Sequence, residues 1–136
     1  SKGVKMGIPE AKRGLFAAAG GLMRLPTRVG YSKAMEMALT GDPILAEEAA
    51  QFGMVARLTE PGGAVEAALE LAERIAENAP LSITASKQLI KAALGITEPE
   101  FWELQKEPHA KVFNSNDSKE GPLAFAEKRA PKFTGS

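Results

Sequence analysis

The sequence predicts a mostly α-helical chain with two short β segments. Three readings carry that class: apolar residues recur at helical spacing through most of the chain, glycine and proline punctuate the helices, and only Val4 to Met6 and Met54 to Leu58 read as β. Val4 to Met6 is closed by Gly7 and by Pro9, which biases Ile8 to an extended conformation. The stretch from Gly7 through Glu10 to Gly14 reads as a short non-helical segment between glycine-marked turns. Small residues follow, then a short helix from about Ala18 to Leu25 that Pro26 stops. Tyr31 to Thr40 reads as a helix with Ala34, Met35, Ala38 and Leu39 as its apolar stripe, ended by Gly41-Asp42-Pro43. Ala46 to Phe52 is a short helix ended by Gly53.

The second half is more regular. Val65, Ala68, Leu69, Ala72, Ile75, Ala76 and Ala79 fall on one helical face, with Glu66, Glu70, Glu73, Arg74 and Glu77 mostly opposite. Pro80 interrupts this pattern, and Leu81 to Leu94 resumes it with Ala85, Leu89 and Ala92 on one face. Thr97 and Glu100 have capping-box spacing before Phe101, Trp102 and Leu104, and Pro108 is expected to kink or interrupt the helix they start. Asn114 to Asp117 is a polar turn, and Asp117 or Ser118 is the expected cap of a last helix through Glu127. A lone pair of strands is marginal by itself. The pattern therefore points to a helical region attached to a sheet supplied by sequence before Ser1.

Composition narrows the function. The 136 residues suffice for one modest core. Seventeen basic and seventeen acidic residues cancel, so no basic field argues for nucleic acid. With no cysteine, disulfides, thiolate nucleophiles and Cys-type zinc sites are excluded. No apolar run approaches the roughly 18 residues of a membrane helix. Ser1 to Lys5 has no signal-peptide apolar region, and the expected location is the cytoplasm. A chain that opens on serine reads as a fragment or a processed chain.

Among possible reactive groups, Glu10 stands beside a proline and among Gly, Ile, Leu and Phe. It is either a desolvated carboxyl usable as an acid or an exposed turn glutamate; composition alone favours the second. Leu15, Phe16 and Leu22 either line an apolar pocket near it or pack as core. His109, the only histidine, lies in a polar region and is a poor base or metal ligand. Phe101 and Trp102 read as helix-packing residues, and Lys12 and Arg13 as solvated charges.

The order of motifs adds a resemblance. Gly7-Ile8-Pro9-Glu10 with Gly14-Leu15 and Gly20-Gly21, then Arg24-Leu25-Pro26 and Gly30, then Ala34-Met35-Glu36-Met37, Leu39-Thr40-Gly41 and Ala46-Glu47-Glu48-Ala49, then Phe52-Gly53-Met54-Val55, and finally Glu120-Gly121-Pro122, Ala124-Phe125 and Glu127-Lys128-Arg129 follow the pattern of one family. From Gly7 to Phe133 the chain resembles the C-terminal part of the enoyl-CoA hydratase/isomerase (crotonase) family. That implies the end of an α/β ClpP/crotonase-like spiral fold over residues 1–63, carrying the second active-site glutamate, and a helical oligomerisation and CoA-contact region over residues 64–136. It implies an enzyme adding water to a trans-2-enoyl-CoA thioester, with Glu10 delivering a proton at C2. Leu15, Phe16 and Leu22 would line the acyl site. Phe125 and Lys128 would contact the adenine and phosphate end of CoA, against the plain alternative of a core phenylalanine and a solvated lysine. The first glutamate and two oxyanion-hole N–H groups belong to family motifs upstream of Ser1, so the isolated chain is expected to be inactive. The implied partners are an acyl-CoA substrate, the missing N-terminal half, and further copies in a trimer or dimer of trimers, with no nucleic acid, no membrane, no metal and no cofactor apart from the coenzyme A of the substrate. Carnitinyl-CoA dehydratase-like and double-bond isomerase activities are the enzyme alternatives, and a helical assembly module is the non-enzyme one. Leu45 departs from the family pattern, standing where a capping serine is common, at a cost on the order of 1 kcal/mol in local stability.

Overall fold

Lys5 and Met6 (β1) pair antiparallel with Leu45 and Ile44 (β2, Ile44–Leu45) in a computed structural model that describes all residues from Ser1 to Ser136. Gly7 follows β1 because the chain there passes Pro43 too closely for a side chain: a Cβ at Gly7 would lie 3.0 Å from Pro43 Cα. Pro9–Arg13 then forms a 3-10 helix, followed by α1 (Gly21–Arg24), α2 (Pro26–Val29), α3 (Tyr31–Thr40) and α4 (Ala46–Gln51). The chain divides into two units, Ser1–Leu69 and Glu70–Ser136, and α5 (Ala64–Ala76) straddles the division.

The first unit is built on an aliphatic core. Leu25, Val29, Ala34, Met37, Ile44 and Ala49 bury one another, with Met6, Ile8, Met54 and Val55 packed around them. Met37 is the largest fully buried side chain, 1% exposed. The helices α2, α3 and α4 are short, and this shared burial rather than propensity holds them.

Several expectations for this half are corrected. Met54 to Leu58 forms no strand; β2 at Ile44–Leu45 takes the pairing edge of β1 instead. The later segment is tied to the first residues by a bond from Lys2 N–H to Thr59 C=O (2.9 Å) and to the end of α4 by one from Met54 N–H to Ala49 C=O (2.9 Å). Pro26 does more than stop a helix. It starts α2 after the single residue Leu25, since the first helical position needs no N–H. The Glu10 segment is helical in the 3-10 sense. Along α3 the buried side chains are Ala34 and Met37, while Met35 and Leu39 stay exposed.

In the second unit, α6 (Pro80–Ala92) packs on α7 (Glu98–Phe113), and α8 (Asp117–Ala126) follows. Glu100 accepts from both the N–H and the hydroxyl of Thr97, each at 2.8 Å, as the capping-box spacing requires; these bonds hold its carboxyl below the ordinary range. Pro108 does not interrupt α7, which runs through it: a proline removes one N–H from the ladder, and the remaining turns continue. His109 is exposed and stacks on Phe113 one turn later, ring centroids 4.1 Å apart. Trp102 Nε1 donates to Glu98 (3.2 Å). Asp117 does not cap α8. Ser115 Oγ accepts from Ser118 N–H (3.1 Å) at that end, and Asp117 is buried under the C-terminal tail. No helix of the structure is long and apolar enough to cross a membrane.

Candidate active site

The turn that carries Glu10 follows from its sequence. Pro9 opens the 3-10 helix, and Gly14 closes it at φ 70°, where its N–H reaches Ala11 C=O (3.2 Å). Leu15 N–H donates to Glu10 C=O (3.1 Å), so the backbone around Glu10 is committed on both sides. The side chain then reaches a cavity of about 450 Å³ bounded by the 3-10 helix, the Leu15 to Ala17 segment, α1 and α3. Glu10 Oε2 is withdrawn from solvent and has no hydrogen-bond partner. A buried carboxylate oxygen without a partner is costly, and such an atom calls for a functional explanation. Every other side chain lining the cavity is apolar except Tyr31. One acid in an apolar chamber can hand a proton to, or take one from, a substrate that excludes water.

Leu15, Phe16 and Leu22 line this same cavity and remain accessible within it, Phe16 being 71% exposed. They are walls, not core. Tyr31, Met35 and Leu39 also line it, at successive i, i+4 positions on α3. Met35 and Leu39 belong to the apolar stripe expected from the sequence, whereas Tyr31 lies outside that expectation. The signal was present: Tyr31 extends the Met35 and Leu39 row by one turn, and a second apolar row on one helix is a face for something other than the core. Lys12 pairs with Asp42, while Arg13 is exposed.

Phe125 and Lys128 belong to the second unit. Phe125 is 87% exposed near the end of α8, so the core alternative for it fails. Lys128 is exposed and is the one non-glycine residue with a positive φ, 54°.

Comparison with known proteins gives the same frame. The enoyl-CoA hydratase/isomerase family matches residues 1–136, and the chain belongs to that family. It is 41% identical over 129 residues to enoyl-CoA hydratase EchA19 of Mycobacterium tuberculosis, covering 95% of this chain and 48% of that protein. It is 35% identical over 139 residues to a carnitinyl-CoA dehydratase of Proteus mirabilis, covering 99% of this chain and 53% of that protein. The crystal structure of enoyl-CoA hydratase EchA1 from Mycobacterium marinum superimposes with a TM-score of 0.92 at 50% identity, over 97% of this chain and 52% of that one. The mostly helical chain with two short strands is thus the C-terminal part of a crotonase fold, and it spans about half the length of the curated relatives it matches.

Proposed function

We propose that this chain supplies the proton-delivering half of an enoyl-CoA hydratase active site. In the reaction, water adds across the double bond of a trans-2-enoyl-CoA thioester: its oxygen bonds to C3 as one O–H bond breaks and that proton passes to a carboxylate of the site, while Glu10 gives a proton to C2, so the site ends with as many protons as it began. The observation that carries the reading is Glu10 Oε2, buried and unpartnered at the wall of an otherwise apolar chamber. A carboxyl so placed has an oxygen free of any protein partner, as proton transfer to a bound substrate requires. Leu15, Phe16 and Leu22 form the acyl wall, where an unsaturated chain displaces water. Phe125 and Lys128 serve the nucleotide end of CoA, an aromatic face for adenine and an ammonium for phosphate.

On this reading residues 1–63 complete the catalytic core and residues 64–136 serve assembly and CoA contact in a trimer or dimer of trimers. The first glutamate and the oxyanion-hole N–H groups come from the part of the relatives that this chain does not span. Run in reverse, the same carboxyl would serve a dehydratase, the activity named for the Proteus relative. The test is hydration of crotonyl-CoA, followed by loss of enoyl-thioester absorbance, in an enzyme of the relatives' full length carrying this sequence. Glu10→Gln should lower kcat by about 10²–10⁴-fold, the range of a lost general acid, with little change in KM. Full activity in that variant would remove the assignment. The 136-residue chain alone should turn over no substrate at an ordinary enzyme rate.

A further inference from the structure

The last eight residues of the chain fold back on the start of α8 through a set of polar bonds that the proposed reaction does not use. Asp117, 4% exposed, accepts at Oδ1 from Thr134 N–H (2.7 Å) and the Thr134 hydroxyl (3.3 Å), and at Oδ2 from Gly135 N–H (2.9 Å). Asn116 N–H donates to Ser136 C=O (2.6 Å). One turn along α8, Glu120 receives a two-pronged bond from Arg129, at 2.6 and 2.9 Å, and a third from Lys132 N–H (2.7 Å). Arg129 Nε also holds Glu127 (2.6 Å). Lys128 sits between the end of α8 and this anchored arginine, in a left-handed conformation that L side chains rarely adopt. Such a conformation persists only where neighbours over-determine it. Here two backbone bonds close the end of α8 around it, Lys128 N–H to Phe125 C=O (3.2 Å) and Arg129 N–H to Ala124 C=O (3.0 Å), and the Arg129 fork onto Glu120 anchors the residue that follows.

We infer that Glu120 and Arg129 are positioning residues, a clasp that braces the capping turn at Lys128 against α8 and so directs its side chain to the phosphates of the nucleotide end of an acyl-CoA. The inference rests on the reading of Lys128 as a CoA contact. A planar guanidinium seated on both oxygens of a carboxylate fixes direction as well as distance, which a flexible lysine at the same place could not. The three donors also hold the Glu120 carboxyl down to about 2, so the clasp stays ionised at any pH where the enzyme works.

The test is binding of adenosine 3′,5′-bisphosphate, by titration calorimetry, to an enzyme of the relatives' full length carrying this sequence, with amide hydrogen exchange at Lys132, Thr134 and Gly135 on the same samples. Lys128→Ala should weaken binding and leave tail exchange unchanged. Glu120→Gln and Arg129→Lys should each weaken binding about tenfold, roughly one well-made charge-assisted hydrogen bond, and speed tail exchange. The signs are diagnostic. Simple electrostatics predicts tighter binding for Glu120→Gln, which removes a negative charge, and no change for Arg129→Lys, which conserves one. Either result, with tail exchange accelerated, overturns the clasp while leaving Lys128 as a phosphate ligand. Equal binding by wild type and Lys128→Ala, or no binding by the wild type, removes the phosphate role of Lys128 and the inference with it. Slow tail exchange in both clasp variants also overturns it.

Discussion

Ser1–Leu69 buries Leu25, Val29, Met37 and Ile44 in one aliphatic cluster, whereas in Glu70–Ser136 the buried side chains are Ala124, Ser115 and Asp117. One unit is held by apolar burial, which is non-directional and tolerates adjustment. The other is fastened at its C-terminal end by hydrogen bonds, which are directional and fail abruptly when one partner goes. The difference matches what each unit carries. The apolar unit walls a chamber around a single carboxyl, and the polar unit fastens its own tail to α8.

The sharpest way to break that contrast is at its largest fully buried side chain. Met37→Ala should destabilise the first unit by about 2–5 kcal/mol, since the side chain is fully buried and the cavity left would not collapse fully. Denaturant unfolding measures the loss, and amide exchange in α6 and α7 should be unaffected below the transition. Asp117→Ala attacks the other unit. It strands the N–H groups of Thr134 and Gly135, and should cost about 1.5–3 kcal/mol, with exchange at those two amides accelerating first.

Acid sharpens the same comparison. The Glu120 carboxyl lies at about 2 in the folded chain against an ordinary 4.5, lowered first by its bonds from Arg129 and then by that from Lys132 N–H. A depressed carboxylate contributes stability that is present above the ordinary value and is lost as pH falls through the folded one. Protection of the tail amides, exchange measured against the intrinsic rate at each pH, should therefore hold steady to about pH 4.5 and fall between there and about pH 2, while the aliphatic unit gives no matching step from this source. The smallest effect is expected at Leu45, which occupies the N-cap of α4 in an extended conformation with no side-chain cap bond. Leu45→Ser should stabilise α4 by about 0.5–1 kcal/mol, seen as a small rise in denaturation midpoint. Lys33 already engages Glu48 at 2.7 Å, so the full reciprocal box would compete with that pair.

Much of this was legible in the residues. The limits of α3, the capping box at Thr97 and Glu100, and the glycine after α4 follow from local chemistry acting within one turn, which any context preserves. So does the exposure of Glu10 to family comparison, because the Pro9-Glu10 turn between glycines is a local pattern. The strand at Met54 to Leu58 was misread because β structure needs a partner edge, and β1 gave its edge to Ile44–Leu45. The α5 stripe was read correctly as a helical face, yet none of its side chains is buried and Val65 is 71% exposed. Periodicity tells which face is apolar and cannot tell what covers it.

By itself, the sequence determined the limits of α3 and the capped start of α7, which family the chain resembles, and which carboxyl is the candidate acid. Only tertiary structure decided that Met35 and Leu39 face a chamber while Met37 faces the core, because both rows are apolar and their roles depend on neighbours far along the chain. It likewise decided that Asp117 serves the tail rather than the helix cap. A carboxylate accepts from whichever donors the fold brings to it, and here those donors lie 17 and 18 residues away.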